Sequence, residues 1–146
     1  MRYFVRSVVA VAVAAAAMLA SLAWHDVADA HAPTVLGPGL VTVTVDVHYS
    51  KFSISTLHVH QGTTVRFLIR NTDPIHHEFI VGDAAVHRAH ELGTEATHPP
   101  IPGEVSVAPE SVGETFFTFD APGRVLFACH LPGHFKYGMK GWVVVS

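Results

Sequence analysis

Three residues near the end of the chain have side chains that bind soft metal ions, and they recur at a regular interval. Cys129, His134 and Met139 follow the pattern Cys-x₄-His-x₄-Met. Thiolate and thioether sulfurs favour Cu(I), imidazole nitrogens bind copper in both oxidation states, and the usual zinc ligands do not include a thioether. The spacing therefore predicts a metal-binding loop, and the two sulfur ligands favour copper.

A second imidazole can join this set from an earlier part of the chain, where His76 and His77 compete for the place. His77, Phe79 and Val81 share one parity, which predicts that His77 faces the core of a strand and His76 faces solvent. Two imidazoles and a thiolate, with a long axial thioether, are the ligands of a type 1, or blue, copper site.

The composition excludes several other classes of protein. The 146 residues include one cysteine and twelve histidines, and the formal net charge is −3. A single cysteine excludes an internal disulfide and any zinc or iron–sulfur site built on several cysteines. The slightly acidic charge lacks the basic footprint of a nucleic-acid-binding protein. At this length we expect one folded domain.

Residues 1–30 have the features of a secretory signal peptide. Arg2 and Arg6 precede an alanine-rich apolar run, and small residues lead up to a cleavage site after Ala30. Cleavage would leave one domain, residues 31–146, in the periplasm or outside the cell and without a membrane span. An uncleaved segment would instead be a short membrane anchor, since its apolar run is at the lower limit for crossing a bilayer.

Alternation of apolar and polar residues predicts that the rest of the chain is built from strands. The predicted strands lie at 41–48, 64–70, 77–81, 104–107, 114–119, 124–130 and 141–145. A change of parity near Thr56 predicts a bulge or bend, and residues 83–91 predict a helix with Asp83 as N-cap and Gly93 as C-terminal stop. The expected fold is therefore all-β, a Greek-key antiparallel β-sandwich with one short helical insertion.

Residues 40–145 resemble the cupredoxin superfamily, the small blue copper proteins similar to plastocyanin and azurin. Three segments in family order carry the resemblance: Gly62-Thr63-Thr64-Val65-Arg66-Phe67, Asn71…His77-Glu78-Phe79 and Ala121-Pro122-Gly123…Cys129…His134…Met139. The resemblance implies one type 1 copper per chain, with four ligands: His77, Cys129, His134 and Met139. The sequence departs from the blue-copper domain of multicopper oxidases at Ala128, where those enzymes carry a histidine.

Two further residues adjoin the implied ligands, because Glu78 follows His77 and His130 follows Cys129. In many cupredoxins these places hold small polar residues that form hydrogen bonds between the ligand loops. We expect a Glu78–His130 link that ties the two loops together and tunes the metal. The alternative is that both side chains face solvent.

Most of the remaining histidines are expected to be solvated surface residues: His58, His60, His87, His90 and His98. A surface metal site is the alternative for His58 and His60 at strand spacing, and also for His87 and His90 one helical turn apart. His31 would become the N-terminal residue after signal cleavage, where an amine and an imidazole can chelate Cu(II).

A type 1 site leaves no open coordination position, so the resemblance implies an extracytoplasmic electron carrier and not an enzyme. The ring edge of His134 would be the electron exit, at a small transient surface for redox partner proteins, and no small-molecule substrate is expected. One alternative is copper storage or delivery, which the spare histidines favour. Another is part of a multicopper oxidase or nitrite reductase, although such enzymes usually take further histidines from a second domain.

Overall fold

A computed structural model describes residues 33–93 and 99–146. The predicted signal segment, His31 and His98 lie outside the described residues. Within the described part the chain forms ten strands and one helix. In chain order these are β1 (Val35–Leu36), β2 (Gly39–His48), β3 (Lys51–Phe52), β4 (Thr56–Val59), β5 (Thr63–Asn71), β6 (His77–Gly82), α1 (Ala84–Leu92), β7 (Glu104–Val107), β8 (Val112–Phe119), β9 (Gly123–Ala128) and β10 (Lys140–Val145).

The strands form two sheets that pack face to face around one apolar core. The six-stranded sheet has the order β1-β4-β10-β9-β6-β7, and the four-stranded sheet has the order β3-β2-β5-β8. The predicted all-β sandwich with one short helix is confirmed. The sheets are mixed, however, since β2 runs parallel to β5 and β4 runs parallel to β10. Parallel neighbours arise because the chain crosses between the sheets, so that strands adjacent in a sheet are not consecutive in sequence.

The parity change near Thr56 coincides with one of these crossings. Phe52, in β3, pairs with β2 of the four-stranded sheet, whereas Thr56 begins β4 of the six-stranded sheet. The main-chain carbonyl of Ser55, between them, accepts a 2.9 Å hydrogen bond from the amide of Trp142. The chain turns onto the opposite sheet here, and this reverses which side chains face the core.

Helix α1 follows β6 directly, as the sequence predicts. The carboxylate of Asp83 accepts hydrogen bonds from the amides of Ala85 and Val86 at 2.9 and 3.0 Å, which satisfies two donors of the first turn. His87 is the buried residue of the helix. Gly93 ends the helix with a φ of −70°, so its backbone is extended and not left-handed. No helix in the described ranges is long and apolar enough to cross a membrane.

Aromatic side chains fill the core beside the start of β6. The ring of Phe79 lies 4.9 Å from that of Phe67, 5.3 Å from that of Phe127 and 5.4 Å from that of Phe52, between centroids. Phe79 is fully buried and comes two residues after His77 on the same strand. Each such ring contributes roughly 1.5–3 kcal/mol by its burial. The rigid aromatic core therefore supports the strand end that carries His77.

Candidate metal centre

Three neighbouring strands of the six-stranded sheet bring the predicted ligands to one end of the sandwich. Strand β6 begins at His77 and runs antiparallel to β9, with Ile80 opposite Ala128. Cys129 follows the last residue of β9, and Met139 precedes the first residue of β10, which pairs with Ala128. The start of β6, the end of β9 and the start of β10 therefore meet at the same end of the sheet.

The loop from Cys129 to Met139 is closed by its own backbone. The amide of Cys129 donates to the carbonyl of Met139 at 3.1 Å, and the amide of Met139 donates to the carbonyl of His134 at 3.0 Å. Another 3.0 Å bond, from the amide of His134 to the carbonyl of Leu131, closes a tight turn. Gly133 sits in that turn with a φ of +87°, a conformation that glycine adopts readily. The turn directs His134 back towards the cysteine.

The ligand atoms of His77, Cys129 and His134 all lie within 4.8 Å of one another, an arrangement that could hold a metal ion. The sulfur of Cys129 lies 3.2 Å from Nδ1 of His134, and the two imidazole rings are 4.9 Å apart between centroids. His77 and Cys129 are fully buried, while His134 is partly exposed. Met139 is also fully buried, and its backbone bonds tie it to both Cys129 and His134.

His77 is oriented by Asp73, which lies in the loop before β6. Oδ2 of Asp73 lies 2.9 Å from Nε2 of His77, and because a carboxylate accepts, this ring nitrogen carries the proton. The carboxylate also accepts the amides of Tyr49 and Ser50, each at 2.8 Å. A carboxylate four residues before a buried histidine was the available sequence signal, but only the fold shows that the two side chains meet.

The other nitrogen of His77, Nδ1, is buried and has no hydrogen-bond partner among the described residues. A buried ring nitrogen without a partner carries a free-energy cost unless something else binds its lone pair. The neighbouring atoms are the sulfur of Cys129 and the ring of His134. A nitrogen lone pair beside a thiol and a second imidazole fits a transition-metal ligand set.

Burial favours the neutral form of each of these groups. It raises the pKa of the Cys129 thiol to about 11, and it lowers the pKa of His77 and of His134. Burial also raises the pKa of Asp73, but the hydrogen bonds from Ser50, Tyr49 and His77 leave it below its usual range. At neutral pH a metal ion must therefore displace one proton, from Cys129.

The residues next to the candidate ligands differ in solvent exposure and in hydrogen bonding. His76 is exposed, in contrast to the fully buried His77. Oε1 of Glu78 accepts a 2.6 Å hydrogen bond from the main-chain amide of His130, which joins the start of β6 to the loop after β9. Glu78 therefore contacts the backbone of His130, while the imidazole ring of His130 turns towards helix α1.

Three histidines lie together where helix α1 packs near the loop after β9: His87 and His90 in the helix, and His130 in the loop. Nε2 of His130 is 2.8 Å from Nδ1 of His87, and the rings of His90 and His130 are 6.2 Å apart. Nε2 of His90 lies 2.7 Å from a carboxylate oxygen of Glu104. The expectation that His87 and His90 are solvated surface residues is therefore wrong, since His87 is buried and His90 is partly buried, and His87 is paired with His130. Of the two histidines at strand spacing, His60 is exposed and His58 is partly exposed.

The fold and this cluster agree with a comparison of the whole chain with known families. The family model of the cupredoxin-like domain matches residues 10–145. This chain belongs to the cupredoxin family. The resemblance predicted from the sequence is thus confirmed.

The cupredoxin also resembles proteins named for copper resistance. It is 41% identical over 99 residues to the copper-resistant cuproprotein CopI of Rubrivivax gelatinosus, a match that covers 65% of this chain and 59% of that protein. It is 29% identical to CopI of Pseudomonas aeruginosa, over 65% of this chain and 70% of that protein. The cupredoxin thus spans less than two thirds of the length of the Rubrivivax relative.

Solved structures with the same fold include auracyanin A and rusticyanin. Auracyanin A, a blue copper protein of Chloroflexus aurantiacus, superposes with a TM-score of 0.58 and 26% identity, over 74% of this cupredoxin and 100% of that chain. Rusticyanin of Thiobacillus ferrooxidans superposes with a TM-score of 0.55 and 23% identity, over 77% and 80% of the two chains. The second likeness establishes the shared fold alone.

Proposed function

We propose that this cupredoxin is an extracytoplasmic electron carrier with one type 1 copper per chain. Its ligands would be His77, Cys129, His134 and Met139. The observation that carries the proposal is the convergence of two imidazoles and one thiol within 4.8 Å in the buried end of the sandwich. Copper in such a set cycles between Cu(I) and Cu(II) and so supplies single-electron chemistry.

The surroundings of the ligands favour electron transfer because they are already fixed in the metal-free chain. Asp73 holds the ring of His77, and backbone hydrogen bonds hold Cys129 and Met139 relative to His134. A ligand set that moves little between the two oxidation states lowers the reorganisation that each electron transfer requires. The same rigidity and burial oppose rapid release of the metal.

His134 is the natural exit for the electron, because it is partly exposed while His77 and Cys129 are buried. Pro132 and Tyr137 lie exposed in the same loop and supply apolar surface around it. A small apolar surface around a partly exposed ligand suits a transient redox partner, and a nearby lysine would steer an acidic partner by electrostatic attraction. Lys136, exposed in this loop, provides that charge.

A second candidate function is copper storage or delivery. It is supported by the name of the relatives in Rubrivivax gelatinosus and Pseudomonas aeruginosa, which are called copper-resistant cuproproteins. The two functions differ in whether copper stays bound when the centre is reduced. A carrier gains an electron and keeps its copper, whereas a delivery protein releases Cu(I).

The ligand set is tested by the visible spectrum of the chain loaded with Cu(II). An intense thiolate-to-copper charge-transfer band is expected, and Cys129→Ser should abolish it. His76→Gln is the matched control for His77→Gln, since the two histidines are adjacent and only His77 is buried. A band that survives Cys129→Ser, or that depends on His76 and not on His77, would refute the proposed ligands.

The choice between carrier and delivery protein is tested by reduction in the presence of excess Cu(I) chelator. We expect a reversible one-electron voltammetric wave, with the copper still bound after many cycles. Loss of the copper to the chelator on the first reduction would favour delivery. As a carrier, the copper-loaded protein should also exchange electrons without consuming oxygen or nitrite.

A further inference from the structure

The ring nitrogens of His87 and His130 face each other next to the candidate centre. Nδ1 of His87 lies 2.8 Å from Nε2 of His130. His87 is the buried residue of α1, and His130 follows Cys129 in the loop after β9. The pair therefore joins the helical insertion to the ligand loop through two imidazoles.

The fold holds both rings in a defined orientation. Nε2 of His87 lies 3.0 Å from the main-chain carbonyl of Leu126, which can only accept a hydrogen bond, so this nitrogen carries the proton. The lone pair of His87 is consequently on Nδ1 and accepts the hydrogen bond that Nε2 of His130 donates. The ring of His130 stacks on Phe135, with 5.1 Å between centroids and 13° between planes.

We propose that His87 and His130 form a second metal site, which takes a divalent copper ion and is separate from the Cys129 centre. The bound ion would replace the proton that the pair shares, and this proton would move to Nδ1 of His130, which keeps both rings neutral. Two nitrogens bound at about 2.0 Å and at a right angle would be roughly 2.8 Å apart, as they are in the hydrogen-bonded pair. Imidazole nitrogens supplemented by oxygen ligands suit Cu(II) in tetragonal geometry, and Cu(II) binds such sites more strongly than other divalent first-row metals.

The cavity beside the two histidines would give the ion access to them and would supply further ligands. It has a volume of about 480 Å³, and its lining includes His87, His130 and Glu91. Glu91 lies one helical turn after His87, on the same face of α1. Its carboxylate is exposed and lies 3.6 Å from Arg88, so it can turn to a cation at the histidine pair. Water would fill the remaining positions.

His90 provides a matched control on the same helix. Its Nε2 lies 2.7 Å from Glu104, and its Nδ1 lies 3.8 Å from Glu78, so both nitrogens are engaged by carboxylates. Its ring lies 6.2 Å from that of His130, between centroids. Replacement of His90 therefore removes an imidazole from the neighbourhood without removing either proposed ligand.

The test is to load the metal-free full chain with excess Cu(II), remove weakly bound ions by gel filtration, and count copper per chain. Wild type and His90→Gln should retain the copper of the thiolate band and a second Cu(II) with a type 2 paramagnetic resonance spectrum. His87→Gln and His130→Gln should each lose the type 2 signal. In both variants the thiolate band should persist, and its persistence also reports correct folding of the ligand loop.

Two results would overturn the second site. One is a type 2 signal unchanged in His87→Gln and His130→Gln, which would assign the pair to an N–H···N hydrogen bond. The other is a signal that disappears in a His58→Gln/His60→Gln variant, which would assign the ion to the surface. Failure of the proposed electron carrier is distinguishable, because it would appear in wild type as the absence of the thiolate band.

Discussion

Asp73 fixes the orientation of His77: its Oδ2 lies 2.9 Å from Nε2, and this leaves Nδ1 of the same ring directed at the cluster. The carboxylate is itself held by two main-chain amides, from Tyr49 and Ser50. A hydrogen bond from a ligand histidine to a carboxylate sets the ring position and raises the basicity of the coordinating nitrogen.

Asp73→Asn should therefore weaken copper binding and raise the reduction potential. The loss in affinity is expected to be about 10- to 100-fold, as for other partners of metal-bound histidines. Competition with a chelator measures the affinity, and voltammetry measures the potential. The matched control is Asp120→Asn, an exposed aspartate on a turn, which should change neither quantity. Equal effects of the two substitutions would contradict the role of Asp73.

Met139→Leu should raise the reduction potential and leave the metal-free fold nearly intact. Leucine has a similar volume, so the free energy of unfolding should change by less than about 1.5 kcal/mol even though the site is fully buried. As a ligand, the thioether would donate electron density to a bound copper ion, and its removal would disfavour Cu(II). Urea unfolding and voltammetry measure the two effects. An unchanged potential would show that Met139 serves only as a core residue.

Copper binding should strengthen as the pH rises. Burial raises the pKa of the Cys129 thiol to about 11, so the thiol is protonated below that pH and must lose its proton to bind. The imidazoles of His77 and His134, with lowered pKa values, are already neutral at pH 7 and release none. The apparent association constant should therefore rise about tenfold per pH unit between about pH 7 and 8.

This pH dependence is measured by competition with a chelator whose own protonation is known. Cys129→Ser is the control, because a serine hydroxyl keeps its proton and the slope should disappear. A slope near zero in the wild-type chain would mean that the thiol is already ionised before the metal binds.

Phe79→Ala should destabilise the metal-free protein strongly. Its ring packs against those of Phe67, Phe127 and Phe52, and truncation of a buried phenylalanine costs about 3–5 kcal/mol. Phe116 is 41% exposed, so Phe116→Ala should cost only about 0.5 kcal/mol. Urea unfolding of the two variants measures the difference. Similar costs would contradict the placement of Phe79 at the centre of the core.

Much of the local structure could be predicted from short stretches of the sequence. Residues such as Val45 and Val47 alternate with polar neighbours, and this period reflects the geometry of a strand, so β2 and its buried face could be predicted from nearest neighbours. Asp83 could be predicted as a helix cap because capping depends on the next few amides, and the structure has those hydrogen bonds. Cys129, His134 and Met139 lie in one loop, so their spacing could likewise be recognised from the sequence.

Contacts between residues far apart in sequence could not be predicted in this way. Asp73 is turned onto His77 by amides that come from the loop of Tyr49, more than twenty residues earlier, and no local pattern encodes that contact. His130 pairs with His87 because β9 lies beside β6, whose end carries α1. Strand order and the crossings between sheets are set by packing of the whole core, and they place the partners that alternation along one strand cannot reveal.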